Sequence, residues 1–172
     1  MSFHGDDFEL FGLPRRLALE RSELDARRRS LQGQVHPDRF AAAGAAQQRL
    51  AMQWAVRVNE AYERLKDPLR RASYLCELGG VSVAAEDNTA MPASFLGEQM
   101  AYREALDEAG SRDALEQIER KLRAEHDTAY AVLLHLLDGR GDHAAAAQQV
   151  RALMFMERLN LEAERRLDAM PA

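Results

Sequence analysis

With 172 residues, 47% of them hydrophobic, the chain can bury a core and has room for one compact domain or two small ones. A net charge of -5 makes a poor polyanion binder, so no nucleic acid partner is expected, and a single cysteine, Cys76, excludes a disulfide framework, a paired-thiol zinc site and a redox couple. No run approaches the roughly 18 apolar residues that span a bilayer, and the acidic start "MSFHGDDFELF" lacks the positive charge of a signal peptide, so the expectation is a cytoplasmic protein with no membrane partner.

Apolar residues recur at helical spacing and no stretch sustains period-two alternation, which predicts an all-α protein. A short first helix covers "DDFELFGL" and is stopped by Gly12 and Pro14. The second runs over about 20–35, burying Leu24, Leu31 and Val35, and ends because Pro37 disfavours helical backbone at His36. In the third, Ala51, Trp54, Ala55, Val58, Ala61, Tyr62 and Leu65 form one stripe, closed by Asp67-Pro68. "LRRASYLCEL" is a fourth helix ending at Gly79-Gly80. "VSVAAEDNTAMP" has turn residues and no period, so 80–92 reads as a linker between domains at 1–79 and 93–172. Three longer helices follow, at about 93–109, 112–137 and 142–167. Their short connections predict an antiparallel three-helix bundle.

Charge is unevenly placed. Residues 1–77 carry 13 Lys and Arg against 11 Asp and Glu, a balance of +2, whereas 78–172 carry 10 against 17, a balance of -7. The run Arg27-Arg28-Arg29 lies in the basic half, where it is either a solvated helix face or a docking surface for an acidic partner.

The motif of interest is His36-Pro37-Asp38, set between two helices. Pro37 fixes its own φ and restricts its neighbour, so the imidazole and carboxylate leave a stiff turn in defined directions. Asp38 is able to accept two hydrogen bonds from an Arg fork. The plain alternative is a Pro-Asp turn with an incidental His.

In the bundle, Phe95, Tyr102 and Leu106, with Ala109 close by, share the inward face of the first helix, while Leu96 and Met100 lie about 100° or more away, beside Gly97, Ala101 and Glu104. In the last helix Val150, Leu153, Met154 and Leu161 are expected on one stripe, with Phe155 and Leu159 nearly opposite. The surplus apolar residues predict a patch, or else packing against the N-terminal domain. His126, His135 and His143 lack an i, i+4 metal spacing with one another and Cys76 has no identifiable base, so neither a metal nor a catalytic residue is expected.

A helix, an HPD turn and a longer antiparallel helix resemble the J-domain, which stimulates ATP hydrolysis by DnaK-type chaperones. "LFGLP", "VHPDRF", "VNEAYERLKDPLRRASYLCELGG" and "FLGEQMAYREALDEA" are together similar to the HscB family of co-chaperones of iron-sulfur cluster biogenesis. The resemblance implies an N-terminal J-domain, an antiparallel helical hairpin carrying the HPD loop, and a C-terminal three-helix bundle. It implies docking to an HscA- or DnaK-type ATPase chaperone through His36, Pro37 and Asp38, with Arg27, Arg29 and Arg39. An IscU-type scaffold protein is the implied client, held by Leu96, Gly97, Met100, Ala101, Glu104 and Phe155, and no cofactor is implied.

The chain departs from the family pattern at Val35, where an aromatic residue is usual, at Gly33, where a basic one is common, and at Gly97 and Ala101, which replace larger or charged residues. It has no Gly/Phe-rich stretch and no Cys-rich zinc module, which makes a general substrate-binding J-protein a poorer match. The alternatives are an all-helical binding or regulatory protein acting without a chaperone ATPase and, more remotely, a hydrolase using His36 and Asp38.

Overall fold

The computed structural model describes residues 5–40, 44–83 and 93–170. The described residues are helical with no strand, and the chain divides into two compact units, Met1–Leu75 and Cys76–Ala172. Most of the expected linker, residues 84–92, lies outside the described residues.

In the first unit, helix α1 (Asp7–Phe11) starts where the Asp6 carboxylate accepts the Glu9 amide, 2.9 Å, and stops at Gly12, whose φ of 63° suits a residue without a Cβ. Helices α2 (Arg21–Val35) and α3 (Ala45–Lys66) form the hairpin. Leu24 and Val35 of α2 are buried as expected, whereas Leu31 is only half-buried. The α3 stripe is buried except at Ala55, which is half-buried. Pro68 opens helix α4 (Pro68–Leu78) at a position that needs no amide donor, and Asp67 Oδ1 caps it by accepting the amides of Leu69 and Arg70, each at 2.9 Å.

Two buried charged groups fasten this unit. The Asp7 carboxylate is fully enclosed: Oδ1 pairs with Arg57 Nη1 and Oδ2 accepts from Arg64 Nη1 at 2.7 Å, while the Asp7 amide donates to the Tyr74 hydroxyl at 3.1 Å. Phe8 stacks on the Tyr74 ring at 6.0 Å, and the Arg64 guanidinium covers that ring at 4.7 Å. Arg71, also buried, donates through Nε to the Leu17 carbonyl at 2.9 Å and through Nη1 to the Leu65 carbonyl, one of the carbonyls that α3 leaves without an intrahelical partner.

The second unit holds α5 (Ala93–Glu108), α6 (Arg112–Leu134, prolonged by a π-helical turn His135–Arg140) and α7 (His143–Ala169). Ser111 and Asp142 cap α6 and α7 by accepting the amides of Ala114 (3.2 Å) and Ala145 (3.1 Å). A core of Leu106, Leu115, Leu122, Leu159, Ala163 and Leu167 joins the three helices.

The expected split of α7 into two opposed stripes is corrected here. Val150 and Leu153 are buried, but so is Leu159, while Met154 and Leu161 are exposed and Phe155 is half-buried against the core. The cause is a change of face along the helix. Its first half buries Ala146, Ala147, Val150 and Leu153, its second half Leu159, Ala163 and Leu167, and the two sets are rotated by roughly a third of a turn at 100° per residue.

Candidate functional site

The hairpin ends in a turn whose backbone follows from Pro37. His36 is extended (φ -61°, ψ 128°), as a residue before proline must be, and Pro37–Phe40 form a 3₁₀ turn in which the Arg39 amide donates to the His36 carbonyl at 3.1 Å. The Arg39 side chain reaches back to α2: Nη1 donates to the Gly33 carbonyl at 2.8 Å, satisfying a carbonyl in the last turn and placing positive charge at the negative end of the helix dipole. Arg39, expected as a chaperone contact, thus also ties the turn to its helix. His36 is exposed; the side chains of Pro37 and Asp38 lie outside the described residues.

Of the arginine run, Arg27 and Arg29 are exposed, with Arg27 Nη2 only loosely paired to Glu23 at 3.6 Å. Arg28 instead lies over the Tyr62 ring at 4.0 Å. The Tyr62 hydroxyl donates to Asp25 Oδ1 at 2.7 Å and accepts from Arg21 Nη2 at 2.8 Å, which locks α2 to α3 and holds the Asp25 carboxyl below the usual carboxylate range. With Arg28 turned onto Tyr62, Arg27 and Arg29 remain as exposed cations on α2.

Gly33 sits within α2 with open space around it, since a Cβ built there meets nothing within 4 Å. Gly33→Ala is therefore expected to stabilise the first unit by about 0.5 to 1 kcal/mol. Thermal melting followed by fluorescence of Trp54, the chain's one tryptophan and buried in that unit, reads the shift.

On the bundle, Leu96 and Met100 of α5 are 48% and 63% exposed, and Gly97, Ala101 and Glu104 are also at the surface. Leu96 and Phe155 line a notch of about 250 Å³ between α5 and α7, whereas Ala101 lines a trough of about 860 Å³ beside α6. Phe155 meets the edge of Phe95 at 6.0 Å and carries the Arg103 guanidinium over its ring at 5.3 Å. Arg158 at the notch and Arg103 beside it were not singled out from the sequence, and Met154 was expected only as part of the α7 stripe. Their nearness to Leu96 depends on how α7 is rotated against α5.

Among the described residues no group of three or more His, Cys, Asp or Glu is placed to hold a metal ion, and no helix is long and apolar enough to cross a membrane. Burial raises the Cys76 thiol to about 11, far from a reactive thiolate.

Residues 91–164 match the family model described as the HSCB C-terminal oligomerisation domain. Over 165 residues, 94% of each chain, the sequence is 53% identical to the co-chaperone protein HscB homolog of Burkholderia mallei (strain SAVP1). The chain belongs to the HscB co-chaperone family. It is also similar to chaperone HscB from Vibrio cholerae, with 39% identity and a TM-score of 0.83 over 95% of this chain and 98% of that one. Human co-chaperone protein HscB gives a TM-score of 0.88 at 25% identity, over 96% of this chain and 84% of that one. The HscB architecture names the parts: α2, the 36–38 turn and α3 are the hairpin of a J-domain, and α5, α6 and α7 are the C-terminal helical domain. HscB membership supports a co-chaperone role in iron-sulfur cluster assembly.

Proposed function

We propose that the chain is a non-enzymatic adaptor. Its J-domain stimulates ATP hydrolysis by an HscA- or DnaK-type chaperone through His36, Pro37 and Asp38, flanked by Arg27, Arg29 and Arg39. Its bundle delivers an IscU-type iron-sulfur scaffold protein to that chaperone in the cytoplasm, using Leu96, Gly97, Met100, Ala101, Glu104 and Phe155. In this reading 1–79 is the J-domain, 80–92 the link and 93–172 the scaffold-binding bundle; the chaperone performs the chemistry and the chain carries no cofactor. The observation that supports it is the pairing, within one HscB-family chain, of a turn tied down by Arg39 with two exposed apolar side chains on a separate helical unit.

The scaffold arm is tested by adding the scaffold to the chaperone and this chain. Turnover should exceed that produced by either alone. Leu96→Ala combined with Met100→Ala should cost about 1 to 2 kcal/mol of scaffold affinity per side chain, tenfold or more together, with the melting temperature unmoved because both are exposed. Wild-type affinity in that double variant would place the client surface elsewhere.

A further inference from the structure

The notch between α5 and α7 has a chemistry beyond being apolar. Its walls are Phe95 and Leu96 on one side and Met154 and Phe155 on the other. At about 250 Å³ it exceeds the roughly 150 Å³ cavity that accommodates benzene, so a large apolar side chain fits. Leu96 and Met154 stand half-exposed at its lip.

The charges around it run against the composition of the unit. Residues 78–172 hold 10 Lys and Arg against 17 Asp and Glu, yet among the described residues no carboxylate lines the notch, and its rim carries Arg151 and Arg158, with Arg103 across the Phe155 ring. Of the seven other cations in this unit, Arg112, Arg120, Lys121, Arg123 and Arg166 pair with carboxylates, and Arg140 and Arg165 lie away from the notch lining. Arg103, Arg151 and Arg158 have no ion pair among the described residues. Arg151 is committed to the Val83 carbonyl at 3.3 Å, which leaves Arg158 on the rim and Arg103 over the Phe155 ring, both exposed, beside an apolar cavity.

Resting on the reading that the bundle holds a scaffold protein, we propose that this notch takes an apolar side chain of the scaffold with an Asp or Glu beside it, the carboxylate held by Arg158 and Arg103. Guanidinium groups next to a desolvated apolar contact are suited to carboxylates, which they bind through two parallel hydrogen bonds. The same cations repel a basic partner segment, so they supply discrimination as well as attraction.

The test titrates a cluster-free IscU-type scaffold protein into the full chain by calorimetry. Arg158→Glu, and more so Arg158→Glu with Arg103→Glu, should weaken binding tenfold or more with unchanged helical circular dichroism, and Arg158→Gln should lie between. Wild-type affinity should fall as salt rises from low to physiological strength, and that slope should flatten in the double variant. Arg140→Glu, at the α6–α7 turn, should bind as the wild type does. Wild-type affinity in both glutamate variants overturns the carboxylate assignment while leaving the scaffold reading intact. Absence of binding by the wild-type chain overturns both.

Discussion

Asp7→Ala is expected to destabilise the J-domain by about 2 to 3 kcal/mol, lowering its melting temperature by roughly 10 to 20 °C. Asp7 is wholly enclosed and faces two guanidinium groups, so its removal leaves Arg57 and Arg64 without their carboxylate. A fully buried pair would cost more. Here the arginine side chains are 23% and 44% exposed and recover part of their hydration, which sets the lower figure. Asp7→Asn keeps the volume and loses the charge, so it should fall between the two. Trp54 fluorescence during thermal melting reads both variants, and an Asp7→Ala protein that melts like the wild type would mean that α1 is held by Phe8 and Phe11 packing alone.

Asp38→Asn should reduce chaperone stimulation to the basal rate while leaving stability untouched. An amide keeps the shape of the carboxylate but cannot accept two charge-assisted bonds from an arginine fork. Truncating one partner of such a pair typically costs about 2 to 5 kcal/mol, roughly thirtyfold or more in affinity. The neighbouring His36 and Arg39 are exposed, so the turn adds little to the core and the circular dichroism signal should persist. Stimulation at the wild-type level by Asp38→Asn would remove the HPD turn from the mechanism.

Much of the J-domain was legible because α3 buries one face along its length and α2 buries Leu24 and Val35 near its two ends. The stripe from Ala51 to Leu65 on α3 needs only a 3.6-residue period to be found, and Asp67-Pro68 both ends α3 and starts α4 for reasons local to those two residues. Helix α7 defeated the same reading because its buried face turns midway, from Val150 and Leu153 to Leu159 and Ala163, and a single-stripe projection averages over the two. The enclosure of Asp7 was not legible either. A carboxylate near the start of the chain reads as a helix cap until tertiary packing brings Arg57 and Arg64 to it from α3. At the bundle surface Leu96 and Met100 stood out as apolar residues off the inward arc of their own helix. Arg103 and Arg158 are ordinary surface arginines by any local pattern, and their meaning comes only from the approach of α5 to α7 around Phe155.

The most direct measurement is steady-state ATP turnover by an HscA-type chaperone titrated with the wild-type chain, beside a control containing the chain alone. A J-domain whose HPD turn docks on the chaperone predicts a saturable rise in turnover with the chain and no hydrolysis in the control. A rate that stays at its basal value across the titration, or ATP hydrolysis by the chain alone, would contradict it.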